Sequence, residues 1–312
     1  MKPEILMVGP LMPACMAALE HQYVANRLWE TPEPNAFLEK IGSNVRAIVT
    51  SGARGASASL INALPNLEVI VSYGVGVDAI DLPLAKKRGI PVTTTPDVLT
   101  EDVADMALAL LLATSRRIIA GDQYVRCGHW AGGEMALTRR VSGKAIGIFG
   151  LGRVGRALAR RAEAMNMKIF YTDRKDLGLP YAFCPALTKL AADVDFLVIT
   201  AAGGDSSRKA VNRPVLEALG PEGILINVAR GSIVDEEALV QTLKEGKLGG
   251  AGLDVFANEP NVPKELRVMP NVVLQPHHAS GTIETRSAMA DLVIGNLEAH
   301  FAGKPLVTPL NY

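Results

Sequence analysis

The run Gly150-Leu-Gly152-Arg-Val-Gly155 constrains this chain more than any other stretch. It follows an apolar run, Lys144-Ala-Ile-Gly-Ile-Phe149, and opens a helical stretch from Arg156 to Met165. A second strand-like run, Lys168-Ile-Phe-Tyr171, comes next. Glycines at this spacing between a strand and a helix have separate tasks. Gly150 permits a tight turn, Gly152 lets a pyrophosphate approach the backbone, and Gly155 lets helix and strand pack closely. The helix start then offers unpaired N–H groups and a positive dipole end to phosphates. Arg153 and Val154 therefore join the three glycines as candidate dinucleotide contacts.

The second strand runs into Tyr171-Thr-Asp173-Arg174-Lys175. Asp173 lies 18 positions after Gly155, close to the spacing of an acid that binds ribose hydroxyls, which favours NAD. Arg174 and Lys175 are cations that suit the 2′-phosphate of NADP. The segment makes opposing predictions, and both cofactors stay open.

Around this unit, short β-branched runs alternate with helical stretches. Arg46–Thr50, Glu68–Ser72 and Pro91–Thr95 read as buried strands, as does the N-terminal run ending at Gly9. Asp195–Thr200, Gly223–Asn227, Ala251–Asp254 and Asn271–Leu274 complete a second set. Such alternation predicts an α/β chain of two doubly wound parallel-sheet domains. The length, 312 residues with 48% hydrophobic, suits two cores rather than one. Thr100–Arg117 is expected as a buried connecting helix, with acids at its start and arginines at its end. Gly121–Val141 lacks periodicity and reads as a long loop carrying Trp130; loops of that length usually serve function or an interface.

The 32 basic and 32 acidic residues balance, so charge gives no reason to expect nucleic acid or a membrane surface as partner. Cys15, Cys127 and Cys184 form no CxxC pair. They read as small core residues in a reducing, cytoplasmic setting, with neither a disulfide framework nor a metal site. No leader segment is visible, and the apolar stretch Val103–Ala113 falls short of the roughly 20 residues needed to span a bilayer. His21 and His300 are expected to be solvated; His129 is ambiguous.

Three strand ends carry unusual side chains. Asn227-Val-Ala-Arg230-Gly231 puts an arginine after an apolar strand. Asp254-Val-Phe-Ala-Asn-Glu259-Pro260 puts carboxylates after another, and Pro276-His277-His278 follows a third. Strand C-termini are where open α/β sheets bind ligands. Reduction of a 2-keto acid needs a planar cation for the carboxylate and carbonyl, a general acid for the developing alkoxide, and a carboxylate to orient that acid. Arg230, His277 and Glu259 supply these in turn. Singly, each has a structural explanation; together at three strand ends they point to one chemistry.

With these motifs and with Tyr73-Gly-Val75-Gly76-Val-Asp-Ala-Ile-Asp81 and Thr95-Pro-Asp-Val-Leu-Thr100, the chain resembles the D-isomer-specific 2-hydroxyacid dehydrogenase family over nearly its whole length. The resemblance implies that Arg230, Glu259 and His277 are catalytic. It implies that the backbone of Val75 and Gly76 binds the substrate carboxylate, and that Asp254, like Ala229, lies by the cofactor. It implies a flavodoxin-like substrate domain of residues 1–98 and 285–312, a Rossmann domain of residues 99–284 inserted into it, and closure of the cleft between them. A homodimer built around the connecting helix and long loop is implied too. Within the family the chain looks most similar to the glyoxylate/hydroxypyruvate and hydroxyphenylpyruvate reductase branch. That makes glyoxylate or hydroxypyruvate the expected substrate, with Trp130 as a substrate contact, and a bulkier 2-hydroxy acid such as hydroxyphenyllactate the alternative. Asp173 departs from the small neutral residue common before the arginine in that branch, and Thr200-Ala-Ala-Gly-Gly-Asp205 from the family's Pro-x-Thr segment. A nucleotide-sensing regulator resembling the related corepressors would need partner-binding sequence outside the core, and none is visible.

Overall fold

The computed structural model describes residues 2–312. The chain divides into two compact units: the N-terminal segment to Leu99 together with Ser280–Tyr312, and Thr100–Ala279.

In the first unit, β1 (Glu4–Met7), β2 (Val24–Arg27), β3 (Val45–Ser51), β4 (Val69–Tyr73) and β5 (Val92–Thr93) form a parallel sheet in the order β2-β1-β3-β4-β5. The direction of winding reverses between β1 and β3, the flavodoxin-like switch point at which such sheets open a crevice. Ile48, Val49, Val69, Ile70 and Val71 are buried, as expected for strands covered on both faces. The helix Ile283–Phe301 packs on β4, and Tyr73 Oη donates to the Arg286 carbonyl at 2.8 Å. The chain end is tied back by Leu310 N–H to the Val92 carbonyl.

In the second unit, β6 (Ala145–Phe149), β7 (Lys168–Thr172), β8 (Ala182–Phe183), β9 (Phe196–Ile199), β10 (Ile224–Asn227), β11 (Gly250–Leu253) and β12 (Val272–Leu274) form a parallel sheet ordered β12-β11-β10-β9-β6-β7-β8. Here winding reverses between β6 and β9, the arrangement of a six-stranded dinucleotide fold with β12 added at one edge. Leu197, Ile199, Leu225, Leu239 and Leu253 fill the core. The helix Thr100–Ser115 lies on β10 and β11. Gly252 allows this approach, since a Cβ there would sit 3.0 Å from Thr114 Oγ1 and 3.1 Å from Leu110 Cβ.

Several expectations need correction. The connecting helix is not enclosed all round: Glu101, Asp105 and Ala109 are exposed. It ends at Ser115, where Arg117 takes a left-handed backbone (φ 51°) and starts a second helix, Ile118–Arg126. The first part of the expected loop, Gly121–Arg126, is therefore helical; the irregular stretch begins beyond a short 3-10 turn at His129–Gly132. Cys127 is exposed while Cys15 and Cys184 are buried. His300 is half-buried against Glu68 at 3.0 Å rather than solvated. Among the described residues no helix is long and apolar enough to cross a membrane.

Candidate active site

The C-terminal ends of β10, β11 and β12 lie side by side, because these strands are neighbours in register. At the end of β10, Asn227 folds the chain back on itself. Its Oδ1 accepts from Ala229 N–H at 3.1 Å and its Nδ2 donates to the Arg230 carbonyl at 3.0 Å. Arg230 Nη1 donates to the Ala229 carbonyl at 2.6 Å. Gly231 follows because the turn after β10 lies against that after β11: any Cβ at Gly231 would overlap the Phe256 main chain.

At the end of β11, Asp254 is fully buried. Its two carboxylate oxygens accept from His278 N–H at 2.7 Å and Ala279 N–H at 3.0 Å, and its carbonyl accepts from His277 N–H at 2.7 Å. One residue thus fastens the whole turn after β12. The fastening matters because His277 has a left-handed backbone, φ 52°, which a non-glycine residue adopts only when its surroundings insist. Five residues beyond Asp254, Glu259 takes Phe256 N–H on Oε1 at 3.0 Å and meets His277 Nδ1 with Oε2 at 2.7 Å.

The two carboxylates differ in character. Burial pushes the Asp254 carboxyl above its ordinary range, and the Glu259 charge pushes the same way; the N–H groups of His278 and Ala279 and the charge of His277 offset only part of this. Burial also pushes Glu259 up, but the hydrogen bond from His277, the Phe256 N–H and the charges of His277 and Arg230 together hold it below the ordinary range. Glu259 is therefore a carboxylate across the neutral range. Since it engages Nδ1, the imidazole presents Nε2 as its outer nitrogen. An arginine, an imidazole and a carboxylate that orients it share one sheet edge.

On the same sheet, the glycine turn fits a dinucleotide. Gly150 has φ 92° and abuts Ala201, while Gly155 abuts the Gly150 carbonyl. Both closely approached positions exclude a side chain. A Cβ at Gly152, by contrast, would meet nothing within 4 Å, leaving an open face before the helix Arg153–Ala164 and the positive end of its dipole. Val154 lies in that first turn. Thr200 Oγ1 donates to the Gly150 carbonyl at 2.6 Å and fixes the turn to the end of β9. Asp173 ends β7 with its carboxylate turned toward the turn: Oδ2 accepts from Leu151 N–H at 2.9 Å and Oδ1 from Arg174 N–H at 2.7 Å. Arg174 and Lys175 are exposed beside it.

The remaining candidates lie apart from this edge in sequence. Trp130 sits on the 3-10 turn of the second unit with 67% of its surface exposed. Val75 and Gly76 follow β4 in the first unit, and neither N–H donates to another described residue. Asn227 and Thr200 carry the geometry without having been singled out from sequence. A polar residue closing an apolar strand is the signal that marks both.

A family model described as the NAD-binding domain of D-isomer-specific 2-hydroxyacid dehydrogenases matches residues 108–279. The chain is 50% identical over 307 residues to a glyoxylate/hydroxypyruvate reductase of Arabidopsis thaliana, covering 98% of each. It is 48% identical to a hydroxyphenylpyruvate reductase of Plectranthus scutellarioides, again covering 98% of each. In fold it is similar to the NADPH-dependent glyoxylate/hydroxypyruvate reductase of Sinorhizobium meliloti, solved with NADP and malonate. The TM-score is 0.94 at 44% identity, covering 99% of this chain and 97% of that one.

Proposed function

The chain belongs to the D-isomer-specific 2-hydroxyacid dehydrogenase family, and on that premise we propose that it reduces glyoxylate or hydroxypyruvate to the corresponding 2-hydroxy acid with NADH or NADPH. The observation that carries this reading is the 2.7 Å pair of His277 and Glu259, on the sheet edge that also bears Arg230. A bound reduced nicotinamide supplies the hydride. Arg230 binds the substrate through its planar fork and draws electron density from the carbonyl oxygen. As charge develops on that oxygen, His277 delivers a proton from Nε2. Glu259 stays ionised and stabilises the imidazolium before transfer. Asp254 and Asn227 are positioning residues: one holds the His277 turn, the other the Arg230 turn. Val75 and Gly76 supply backbone N–H groups to the substrate carboxylate.

The turn Gly150–Gly155 would hold the pyrophosphate, with Ala229 and Asp254 beside the cofactor. Asp173 suits a free ribose hydroxyl, and Arg174 with Lys175 suits a 2′-phosphate. Two copies pair through the apolar surface of Ile118, Ile119 and Val125 and the segment bearing Trp130 and Leu137, all more than half exposed. The similarity to a hydroxyphenylpyruvate reductase supports an aryl substrate as the second reading. A kinetic panel crossing NADH and NADPH with glyoxylate, hydroxypyruvate and hydroxyphenylpyruvate tests both. The expected result is turnover of the two small acids well above the aryl acid; absence of turnover with all three would remove the proposal.

A further inference from the structure

Arg54 lies at the switch point of the first unit's sheet, and its position is built rather than incidental. It follows β3, and its side chain crosses to the end of β1. A Cβ at Gly9 would sit 3.1 Å from Arg54 Nε, 3.2 Å from Cγ and 3.4 Å from Cδ. Gly9 therefore leaves the arginine room to lie against the end of β1. On its other side, the same turn lies against the β4 loop. A Cβ at Gly52 would sit 3.0 Å from the Gly76 carbonyl oxygen and 3.4 Å from Gly76 Cα. Gly55, at φ 64°, is pressed against Ala79, and Ala56 bridges Ile80 with Ala56 N–H on the Ala79 carbonyl at 3.0 Å. The turn carrying Arg54 and the loop carrying Val75 and Gly76 are thus one platform.

The Arg54 guanidinium is exposed, with no ion pair or hydrogen bond among the described residues. Other arginines of this chain, by contrast, are held by a neighbouring carboxylate, as Arg46 is by Glu68 and Arg213 by Glu217. Arg54 stands two residues from Gly52, a span of at most about 7 Å, so the Gly76 main chain is within its reach. Switch-point crevices are where open α/β sheets take ligands.

We propose that Arg54 is a specificity residue for the reaction, taking an oxygen atom borne by carbon 3 of the 2-keto acid. This rests on the function proposed above, with the substrate carboxylate on the Val75 and Gly76 amides. A guanidinium has five N–H donors and no acceptor, so it rewards an oxygen lone pair on carbon 3 and gains nothing from a methyl group. The substrate class is then the 3-hydroxy-2-keto acids, hydroxypyruvate before pyruvate.

Those two acids differ by one hydroxyl, so the ratio of their kcat/KM values isolates the contact. The wild-type ratio is expected to exceed tenfold. Arg54→Met should lower it about ten- to hundredfold, the worth of one charge-assisted hydrogen bond, mainly through a raised KM for hydroxypyruvate. Arg54→Lys keeps the charge without the planar fork and should give an intermediate ratio. Thermal melting and NADPH binding, measured alongside, report the fold of each variant. A ratio that neither substitution moves, in a wild type that reduces both acids, would overturn this inference alone. A wild type that reduces neither hydroxypyruvate nor glyoxylate removes the proposed function, and the role of Arg54 with it.

Discussion

The left-handed backbone of His277 is the most demanding single-residue feature of the second unit. It costs free energy, and Asp254 offsets that cost by accepting three N–H groups in succession along the turn. Glu259 then fixes the ring itself. Replacing His277 by Ala removes the proposed proton donor and does not touch the glycine turn. We predict a fall in kcat of about 10²- to 10⁴-fold, with NADPH binding, read by fluorescence, unchanged. Near-normal kcat in that variant would assign the proton to another group. Glu259 permits a separate test by stability. Its folded-state pKa is depressed, so its contribution is fully present above the ordinary Glu range, near 4.3, and is lost as pH falls through the lower folded value. Wild type should therefore exceed Glu259→Gln in denaturant stability by a constant margin between about pH 5 and 7, and the margin should shrink below about pH 4. A margin that grows on acidification would contradict the depressed carboxyl.

Elements place these residues, and the elements differ in how plainly the sequence announces them. β4, β9 and β10 are largely apolar runs, and β3 is one apart from Arg46 near its start, because both faces are covered, so composition and length suffice to read them. β2, Val24-Ala-Asn-Arg27, is an edge strand with no fully buried residue, and β8 has only two residues; neither carries a pattern to detect. The helix Ile118–Arg126 has no buried residue and contains Gly121, so no core-facing stripe marks it. The site follows the same logic. Arg230, Glu259 and His277 could be read because each follows a strand whose end is legible. The double use of Asp254 and the seating of Arg54 over Gly9 could not, since they depend on contacts across long stretches of chain. Asp173 is the middle case. Its spacing marks it as a ribose contact, yet its oxygens also hold the Leu151 and Arg174 amides. Each oxygen keeps a lone pair for a ribose hydroxyl. Asp173→Ala should then weaken NADH binding about tenfold or more, the worth of a hydrogen bond to a charged acceptor, and weaken NADPH binding less. Equal weakening of both would mean that Asp173 serves only as a tether for the turn.

At the scale of the molecule, the apolar surface raises the question of assembly. Ile118, Ile119 and Val125 lie on one short helix, and the following segment carries Trp130 and Leu137 at 67% and 98% exposure. Scattered exposed apolar residues are ordinary, but five within a stretch of twenty mark an interaction surface. The helix Ile118–Arg126 fully buries none of its residues, and only Ala120, Gly121 and Tyr124 are partly covered within the chain. A helix of nine residues is too short to be stable alone in water. Docking against the same helix of a second copy would supply further burial, and a two-fold interface needs only that one patch complement itself. Charge argues in the same direction, because a chain with formal net charge of zero has little electrostatic repulsion to hold copies apart. The prediction is a dimer in sedimentation velocity for wild type and a monomer for the double variant Ile119→Glu, Val125→Glu, with a lowered melting temperature as the exposed helix frays. Two buried apolar side chains are worth about 3–6 kcal/mol per copy, enough to move a micromolar dimer to monomer at ordinary working concentrations. A double variant that stays dimeric would place the contact elsewhere on the chain.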